Sequence, residues 1–308
     1  MCANPQQELR FVVTQKCNYD CTFCHGEGLQ TPKEALLKPE DFRFIFAIGK
    51  KHFGMETTTL SGGEPLIRKD IVDIADELYH EGAIITLTTN GYFLEDRIYI
   101  GNYVKRINVS IHSLKKERYE IIVRRRNVFH KVIYGVRKLR EKYPDVDIRI
   151  NSTLVDGINS SERDIMDLIG FAKSLDASIK YVELFPSTMK GFISLGNVEE
   201  ILQKNGFFPI PTQTRKIAMC NGFTEVNLTK IFCAASADHE TPGAFCHSNN
   251  DLFVSPDGKI KPCRHNLKEV DILDSVRNMD EESLAGKIKE ALDLLGKDCI
   301  IGKDTPKS

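Results

Sequence analysis

Short runs of β-branched and apolar residues alternate with amphipathic segments along the first two thirds of the chain. The strand-like runs are residues 9–14, 57–60, 84–88, 107–111, 148–154 and 179–185. Between them, residues 39–53, 70–80, 128–143 and 161–175 place apolar side chains at intervals of three and four, as a half-buried helix does. A repeated strand, helix, strand order predicts parallel strands joined by right-handed crossovers. The sequence therefore predicts an α/β fold, an open partial (β/α)6 barrel of the TIM type.

The pattern changes after about residue 210. Hairpin-like runs follow at residues 215–219, 225–232, 252–254 and 260–262, the last two joined by the turn Ser255-Pro256-Asp257-Gly258. A helix-like segment covers residues 279–295. We therefore expect a barrel over residues 1–210 and a C-terminal extension over residues 211–308.

Length and charge limit the classes of partner. The chain has 308 residues, which is ample for a large hydrophobic core, and its 42 Lys and Arg stand against 43 Asp and Glu. A net charge of −1 gives no global reason to expect nucleic acid or an acidic membrane surface as a partner. No apolar run approaches the roughly 18 residues of a membrane helix, and the polar start is unlike a secretory signal. The sequence predicts a cytoplasmic protein.

Three cysteines follow the first predicted strand with the spacing C-x3-C-x2-C. They are Cys17, Cys21 and Cys24, and in a reducing compartment such a group indicates metal or catalytic chemistry. Soft thiolates select zinc, copper(I) or iron-sulfur clusters, and three of them leave one iron of a four-iron cluster open to an external ligand. A structural zinc site is the alternative, for which His25 is the nearby fourth ligand.

This loop, with Phe23 before its last cysteine, resembles the signature of the radical S-adenosylmethionine (SAM) superfamily. The resemblance implies a [4Fe-4S] cluster held by Cys17, Cys21 and Cys24, whose open iron chelates SAM. In that family an electron from the cluster breaks the sulfonium bond and gives a 5′-deoxyadenosyl radical, so the hard chemistry belongs to the cofactor. An external electron donor such as flavodoxin or ferredoxin is the implied protein partner.

Motifs at the ends of later predicted strands extend the resemblance. The run Ser61-Gly62-Gly63-Glu64-Pro65 matches the family's motif at the methionine end of SAM, where glycines let the backbone approach a ligand and a carboxylate pairs with an ammonium. His112 is expected to be a structural hydrogen-bonding group more than a catalyst. The implied SAM contacts are Phe23, Gly62, Gly63, Glu64, Pro65, Ser110 and Phe185.

Nearly the whole chain resembles one branch of that superfamily, the GTP 3′,8-cyclases of molybdenum cofactor biosynthesis. The matching segments include residues 9–10, 60–70, 87–91, 108–114, 156–159 and 257–263. The resemblance implies substrate contacts from Arg10, Thr88 and Arg149, the last of which stands where the family has a lysine.

Three other substrate positions depart from that branch. Thr59, Asp251 and Phe253 stand where the family has arginines. Each charge-assisted phosphate contact is worth about 1.5 to 3 kcal/mol, so their loss predicts weak binding of GTP. The basic run of residues 124–126 could replace that anion site, but a solvated helix end is the expected interpretation.

The same branch has a second [4Fe-4S] cluster, held by three cysteines of the C-terminal region. Alignment on Cys263 places Cys246 at one of the other ligand positions, but Asn249 occupies the third. We expect Cys233 to supply the missing ligand, with Cys220 or His247 as alternatives. The other interpretation is that these are buried cysteines without a metal. The expected metal ligands are Cys17, Cys21, Cys24, Cys233, Cys246 and Cys263.

The leading functional interpretation is an enzyme that cleaves SAM reductively and abstracts hydrogen from a small nucleoside-, nucleotide- or sugar-like substrate. Cyclisation, rearrangement and dehydrogenation are the expected outcomes. GTP 3′,8-cyclisation, modification of a peptide, and a non-catalytic iron-sulfur redox protein are the alternatives. The glycine motif argues against the last of these, because a redox protein needs the cysteines alone.

Overall fold

The computed structural model describes residues 8–24, 26, 34–184, 190–211, 217–222, 224–229, 251–264 and 266–295. Over these residues the chain forms one twelve-stranded sheet. The strands are β1 (Glu8–Thr14), β2 (Thr57–Gly62), β3 (Ile84–Thr89), β4 (Arg106–Ser110), β5 (Asp147–Thr153), β6 (Ser178–Val182), β7 (Phe208–Ile210), β8 (Ile217–Cys220), β9 (Glu225–Thr229), β10 (Asp251–Val254), β11 (Lys259–Lys261) and β12 (Val270–Asp271). The α-helices are α1 (Pro39–Phe53), α2 (Ile71–His80), α3 (Lys116–Val123), α4 (Phe129–Lys142), α5 (Glu162–Ser174), α6 (Leu195–Lys204), α7 (Leu273–Arg277) and α8 (Glu281–Asp293).

The first six strands lie side by side in chain order and run parallel. Helices α1 to α5 lie in the crossovers between them, except between β3 and β4, where a short 3-10 helix (Ile98–Asn102) makes the connection. The sheet does not close on itself, because strands of the C-terminal part stand at both edges. The predicted α/β partial barrel is thereby confirmed.

The sheet face that meets the helices forms the core. Phe11, Leu60, Leu87, Ile150 and Tyr181 come from five different strands, and all are fully buried. The ring of Phe11 packs edge-on against that of Phe42 in α1, with 5.1 Å between the ring centroids. Fully burying a side chain of this size contributes about 1.5 to 3 kcal/mol, so this face supplies most of the driving force for the fold.

The residues that alternate with this core form the opposite sheet face, called the inner face below. In contrast to the core face, it is polar: Arg10, Thr59, Thr88, Asn108 and Arg149 lie on it, on strands β1 to β5. Buried polar groups require hydrogen-bond partners, so a polar inner face is typical of a binding site for a polar ligand.

Strands from the C-terminal part extend the sheet on both sides. β9 pairs in parallel with β6, and β10 pairs in parallel with β1. The β1–β10 register sets Asp251 opposite Glu8 and Phe253 opposite Arg10. Residues after position 210 therefore contribute side chains to the inner face, while the division of the chain at that position stays a prediction.

Three helices were not anticipated from the sequence, namely α3, α6 and the five-residue α7. Helix α3 has eight residues, half of them charged, which leaves too few apolar positions for a clear period; only Tyr119, Ile122 and Val123 are buried. Helix α6 begins at a Ser194 cap, whose hydroxyl accepts a hydrogen bond from the backbone N–H of Gly196. In the described ranges, every helix is too short or too polar to cross a bilayer.

Candidate functional site

The loop that carries Cys17, Cys21 and Cys24 follows directly on β1. Cys17 and Cys24 are exposed, whereas Cys21 is half-buried. The backbone N–H of Tyr19 donates to Cys17 Sγ (3.4 Å), and that of Cys24 donates to the carbonyl of Cys21 (3.1 Å). The outer two cysteines therefore each belong to a tight turn.

The three thiols act on one another electrostatically. Although the Cys17 residue as a whole is exposed, desolvation of its thiol by surrounding atoms raises its pKa, with further increases from the charges of Glu64 and Cys24. Burial also raises the pKa of Cys21 to about 12, with contributions from the two other cysteines. Three neighbouring thiolates are stable only beside bound positive charge, which iron supplies, so this donor set fits a thiolate-bound cluster. Across the described ranges, no three His, Cys, Asp or Glu side chains are already arranged around a single metal ion.

Helix α3 supports the cysteine loop through its last turn. The backbone N–H of Asp20 donates to the carbonyl of Val123 (3.2 Å), and that of Thr22 donates to the carbonyl of Ile122 (3.0 Å). The last carbonyls of a helix have no partner within it, so the loop and the helix end satisfy each other. Cys21 is consequently anchored on both sides to α3.

Gly62 and Gly63 bring the end of β2 against the backbone of the same loop. A Cβ on Gly62 would stand 2.2 Å from the carbonyl oxygen of Thr14, and one on Gly63 would stand 2.4 Å from that of Gln15. The N–H of Gly63 donates to the Thr14 carbonyl (2.8 Å). These glycines are therefore required for contact between two chain segments, a role beyond the approach to a ligand that the sequence predicts.

Glu64 is fully buried, and both of its carboxylate oxygens accept hydrogen bonds. Oε1 accepts from the N–H of Leu66 (2.9 Å) and the hydroxyl of Thr89 (2.7 Å), and Oε2 accepts from the N–H of Asn90 (2.6 Å). Burial raises its pKa to about 7, against the lowering effect of these hydrogen bonds. The carboxylate thus ties the end of β2 to the end of β3, and its contact with SAM stays a prediction.

Asn90 links this network to a cysteine. Its side-chain amide donates to Asn18 Oδ1 (2.8 Å) and approaches Cys17 Sγ at 3.9 Å, and its own Oδ1 accepts from the N–H of Tyr92 (3.0 Å). Sequence reasoning did not single out Asn90, although it lies within the matched segment 87–91. The sequence feature that would identify Asn90 is a polar residue just past a buried strand, and many turns share this feature.

Phe23 packs against the side chain of His112 at the end of β4. Their ring centroids lie 4.9 Å apart in an edge-on arrangement. His112 Nδ1 accepts a hydrogen bond from the N–H of Thr153 (3.1 Å), and burial lowers its pKa to about 4. His112 is therefore neutral at pH 7 and accepts a backbone hydrogen bond, while the expectation that it has no catalytic role stays a prediction.

Thr88 and Arg149 occupy one row of the inner face, joined by Asn108. The register pairs Thr88 with Asn108 and Asn108 with Arg149, and the Asn108 amide donates to the Thr88 hydroxyl (3.2 Å). Among the described residues, Asn108 Oδ1 and Arg149 Nε are buried without a hydrogen-bond partner. Burial and the neighbouring Arg106 lower the pKa of Arg149. This row offers both a donor and an acceptor to a ligand.

Arg10 lies in a different environment. Its guanidinium is 3.7 Å from a carboxylate oxygen of Asp251 and 4.0 Å from one of Glu8, and it stands 5.5 Å from the centre of the Phe253 ring. Asp251 and Phe253, at two positions where the resemblance predicts arginines, therefore place an anion and an aromatic ring around Arg10. Asp251 and Glu8 oppose the charge of Arg10, while Arg264 places a second guanidinium 5.5 Å from the centre of the same Phe253 ring.

Further polar atoms lie at the carboxyl ends of the strands. Ser61 Oγ, Asn151 Oδ1 and Thr229 Oγ1 are buried and lack a hydrogen-bond partner within the described ranges. Ser110, a predicted SAM contact, is the last residue of β4 and pairs in register with Asn151. Buried polar atoms normally have partners, so this end of the sheet fits a ligand rich in amino, carboxylate and hydroxyl groups, as SAM is.

The predicted second cluster is described only in part. Cys233 and Cys246, like Phe185 and His25, lie outside the described residues. Cys263 is half-buried and follows β11, which runs antiparallel to β10, so it lies at the opposite end of β1 from the cysteine loop. Its assignment as a ligand stays a prediction.

Comparison with known proteins agrees with these features. Residues 11–169 match the radical SAM superfamily. The chain is 31% identical over 294 residues to a probable GTP 3′,8-cyclase of Pyrobaculum aerophilum, and the match covers 93% of this chain and 93% of the relative. It is 30% identical over 288 residues to the GTP 3′,8-cyclase of Aquifex aeolicus, which covers 89% of this chain and 87% of the relative.

Solved structures show the same fold at low sequence identity. Streptococcus suis SuiB bound to S-adenosylmethionine has a TM-score of 0.65 with 16% identity, over 93% of this chain and 68% of that one. The structure of anSMEcpe with bound AdoMet has a TM-score of 0.60 with 14% identity, over 94% of this chain and 83% of that one. Identities this low establish the architecture alone.

The contact between Gly63 and the cysteine loop predicts how adding one methyl group at position 63 changes stability and iron binding. We expect Gly63→Ala to destabilise the protein by about 2 kcal/mol and to lower the iron bound after anaerobic reconstitution, because the new Cβ meets backbone oxygens. Urea unfolding and iron analysis measure both. In Gly170→Ala, the matched control in α5, the Cβ meets nothing within 4 Å, and stability should rise by up to about 1 kcal/mol. Parental stability and iron content in Gly63→Ala would contradict the assigned contact.

The raised pKa of Glu64 predicts a pH dependence of stability. The folded state holds the carboxyl proton of Glu64 more tightly than the unfolded state does. The contribution of this proton to stability is therefore fully present below about pH 4.5 and is lost as the pH rises to about 7. We expect the iron-free protein to lose about 2 to 3 kcal/mol across this window relative to Glu64→Gln, which does not titrate. Urea unfolding of both proteins at several pH values tests this. A constant difference between them over the window would show that Glu64 keeps an ordinary pKa.

Proposed function

Because this chain belongs to the radical SAM superfamily, and is accordingly an enzyme that uses a [4Fe-4S] cluster and SAM, we propose that it catalyses a radical cyclisation of a purine nucleotide. GTP 3′,8-cyclisation is the leading reaction. The similarity to GTP 3′,8-cyclases over about nine tenths of the chain carries the proposal, because it extends through the strands of the inner face as well as the cysteine loop.

The cofactors, when bound, supply reductive C–S bond cleavage and abstraction of a hydrogen atom from the substrate. In this proposal Cys17, Cys21 and Cys24 hold the cluster. The unpartnered Ser61 Oγ on β2 and Ser110 at the end of β4, two strands away, orient SAM at the carboxyl ends of these strands.

The substrate in turn occupies the row formed by Thr88, Asn108 and Arg149. Arg149 Nε supplies a donor, and Asn108 Oδ1 supplies an acceptor, both already desolvated. Binding a ligand that satisfies them recovers part of the cost of burying them, about 1 to 3 kcal/mol each. Sugar hydroxyls and a nucleobase edge are groups of the required kind.

A second candidate is a less anionic nucleoside- or sugar-like substrate. The environment of Arg10 favours it, because Asp251 and Glu8 already compensate the guanidinium that would otherwise contact a phosphate. Thr59, buried on the neighbouring strand, brings no charge to this region. The two candidates share the same radical chemistry and differ in the charge of the ligand.

The deciding experiment is a substrate survey with the reconstituted enzyme. Under anaerobic conditions with dithionite and SAM, the formation of 5′-deoxyadenosine is measured with GTP, other nucleoside triphosphates, guanosine and free sugars. We expect GTP to give the largest increase, a cyclised product by mass spectrometry, and deuterium transfer from ribose-deuterated GTP into 5′-deoxyadenosine. Cys24→Ala is the inactive control.

Two results would count against the leading reaction. Stimulation by guanosine or a sugar without stimulation by GTP would favour the second candidate. No 5′-deoxyadenosine under any of these conditions would contradict the assignment of a radical enzyme and favour a redox protein.

The Asp251–Arg10 pair gives a sharper test of the charge argument. Asp251→Asn removes one compensating charge, so we expect the KM for GTP to fall about three- to tenfold while kcat changes little, since a charge-assisted phosphate contact is worth about 1.5 to 3 kcal/mol. Asp96→Asn, which removes the partner of Lys131 on the surface, is the matched control and should leave KM unchanged. An unchanged or higher KM in Asp251→Asn would show that Arg10 does not contact phosphate.

A further inference from the structure

The basic run of residues 124–126 lies directly beside the cysteine loop. Helix α3 ends at Val123, whose carbonyl accepts the N–H of Asp20, and Arg124 is the residue that follows. The Arg124 guanidinium also stands 3.4 Å from the carboxylate of Asp20. The three arginines are thus fixed next to the segment that carries Cys21, which the sequence alone could not place.

This region is strongly positive on a chain that is nearly neutral. Residues 115–126 contain six Lys or Arg and two Glu, whereas the whole chain has a net charge of −1. Arg125 and Arg126 are exposed, and their side chains form no ion pair with any described residue. Concentrated charge of one sign raises association rates with partners of the opposite sign.

An apolar side chain stands within the same surface. Ile121 is 59% exposed, and the carbonyl of the next residue, Ile122, binds the N–H of Thr22 in the cysteine loop. Protein interfaces commonly combine a desolvated apolar centre with a charged rim. Ile121 with Arg124, Arg125 and Arg126, called the α3 surface below, has this composition.

We propose that the α3 surface is the docking site of an acidic one-electron carrier protein, of the flavodoxin or ferredoxin class. This inference rests on the proposed radical chemistry, which consumes one electron per reductive cleavage of SAM. One electron leaves the reduced carrier, which is oxidised, and enters the cluster held by Cys17, Cys21 and Cys24. Two of these cysteines are exposed, so the loop is accessible from outside the barrel, and α3 positions a partner beside it.

Acidic groups compensate part of this charge, since Asp164 pairs with both Lys115 and Arg118, but they leave Arg125 and Arg126 without an ion-pair partner among the described residues. Asp20 is paired with Arg124, and Glu120 accepts the backbone N–H of Val128. Glu117 is exposed in the first turn of α3, at the other end of the helix from the arginines. An acidic partner therefore meets uncompensated positive charge at Arg125 and Arg126.

Binding is tested with purified flavodoxin and a bacterial ferredoxin as probes. The double variant Arg125→Gln/Arg126→Gln keeps the side-chain stems and leaves the Arg124–Asp20 pair intact. We expect the reconstituted parent enzyme to bind at least one probe, and the variant to bind it about tenfold more weakly at low ionic strength with a smaller dependence on salt, because rim charges act mainly on electrostatic association. Surface plasmon resonance at several salt concentrations measures both effects.

The matched control removes two positive charges elsewhere. Arg163→Gln/Lys204→Gln alters exposed side chains of α5 and α6 and should bind the probe as the parent does. Equal loss in both double variants, equal affinity of parent and Arg125→Gln/Arg126→Gln, or no binding of either probe to the parent would each overturn the proposal.

Turnover with two electron sources separates this inference from the proposed function. SAM cleavage driven by the carrier should fall about tenfold in Arg125→Gln/Arg126→Gln, whereas cleavage driven by dithionite should be unchanged. An equal fall with dithionite would show that the two arginines act on the cysteine loop itself and would overturn the docking site. Failure of the parent to cleave SAM with dithionite would refute the proposed function, and the binding experiment would still decide the docking site.

Discussion

The rest of the site depends on one backbone contact, in which the end of β2 lies against the start of the cysteine loop. The N–H groups of Gly63 and Glu64 donate to the carbonyls of Thr14 and Lys16, both at 2.8 Å. Only glycine permits so close an approach, because a Cβ at Gly62 or Gly63 would overlap carbonyl oxygens of the loop. This contact directs the side chain of Glu64 into the protein, where it fixes the end of β3. The first three strands thereby become one rigid support for Cys17.

The two faces of the sheet have opposite effects on the free energy of folding. The core face buries apolar side chains and stabilises the fold, whereas the inner face holds buried donors and acceptors without protein partners, such as Asn108 Oδ1 and Arg149 Nε. Leaving such atoms unsatisfied costs about 1 to 3 kcal/mol each. A domain with a large core tolerates this cost. When a ligand supplies the missing hydrogen bonds, the free energy recovered adds to its binding. The inner face has one apolar exception, the contact between Val12 and Phe253. It lies beside Arg10 and contributes apolar surface there, but no charge.

The sequence predicted the features that depend on neighbouring residues. The six parallel strands, α1 with its bounds, and the position of the cysteine loop after β1 follow from local periodicity and spacing, and the structure agrees with them. The role of the glycines was assigned to ligand contact because a sequence cannot show which backbone approaches another. The partners of Glu64 and of Arg10 also escaped prediction, since Asn90 and Asp251 reach them only through the sheet register. Helix α3 was missed because its stability comes from tertiary packing, such as that of Tyr119 against Phe129 of α4, and its charged surface residues carry little helical period.

The arrangement of the strands separates the cysteine loop from the region around Arg10, which is predicted to contact the substrate. The cysteine loop, Gly63, Glu64 and their partners come from β1 to β3, whereas the environment of Arg10 is set by β10, which joins β1 from the C-terminal part of the chain. A substitution in β10 can therefore change the charge presented to a substrate without moving a residue that holds the cluster. A chain of this fold can therefore keep the radical SAM motifs while Asp251 and Phe253 stand at positions where the resemblance predicts arginines. Under this arrangement, substrate preference within the branch is expected to follow β10 and its register with β1 more closely than it follows the cysteine loop.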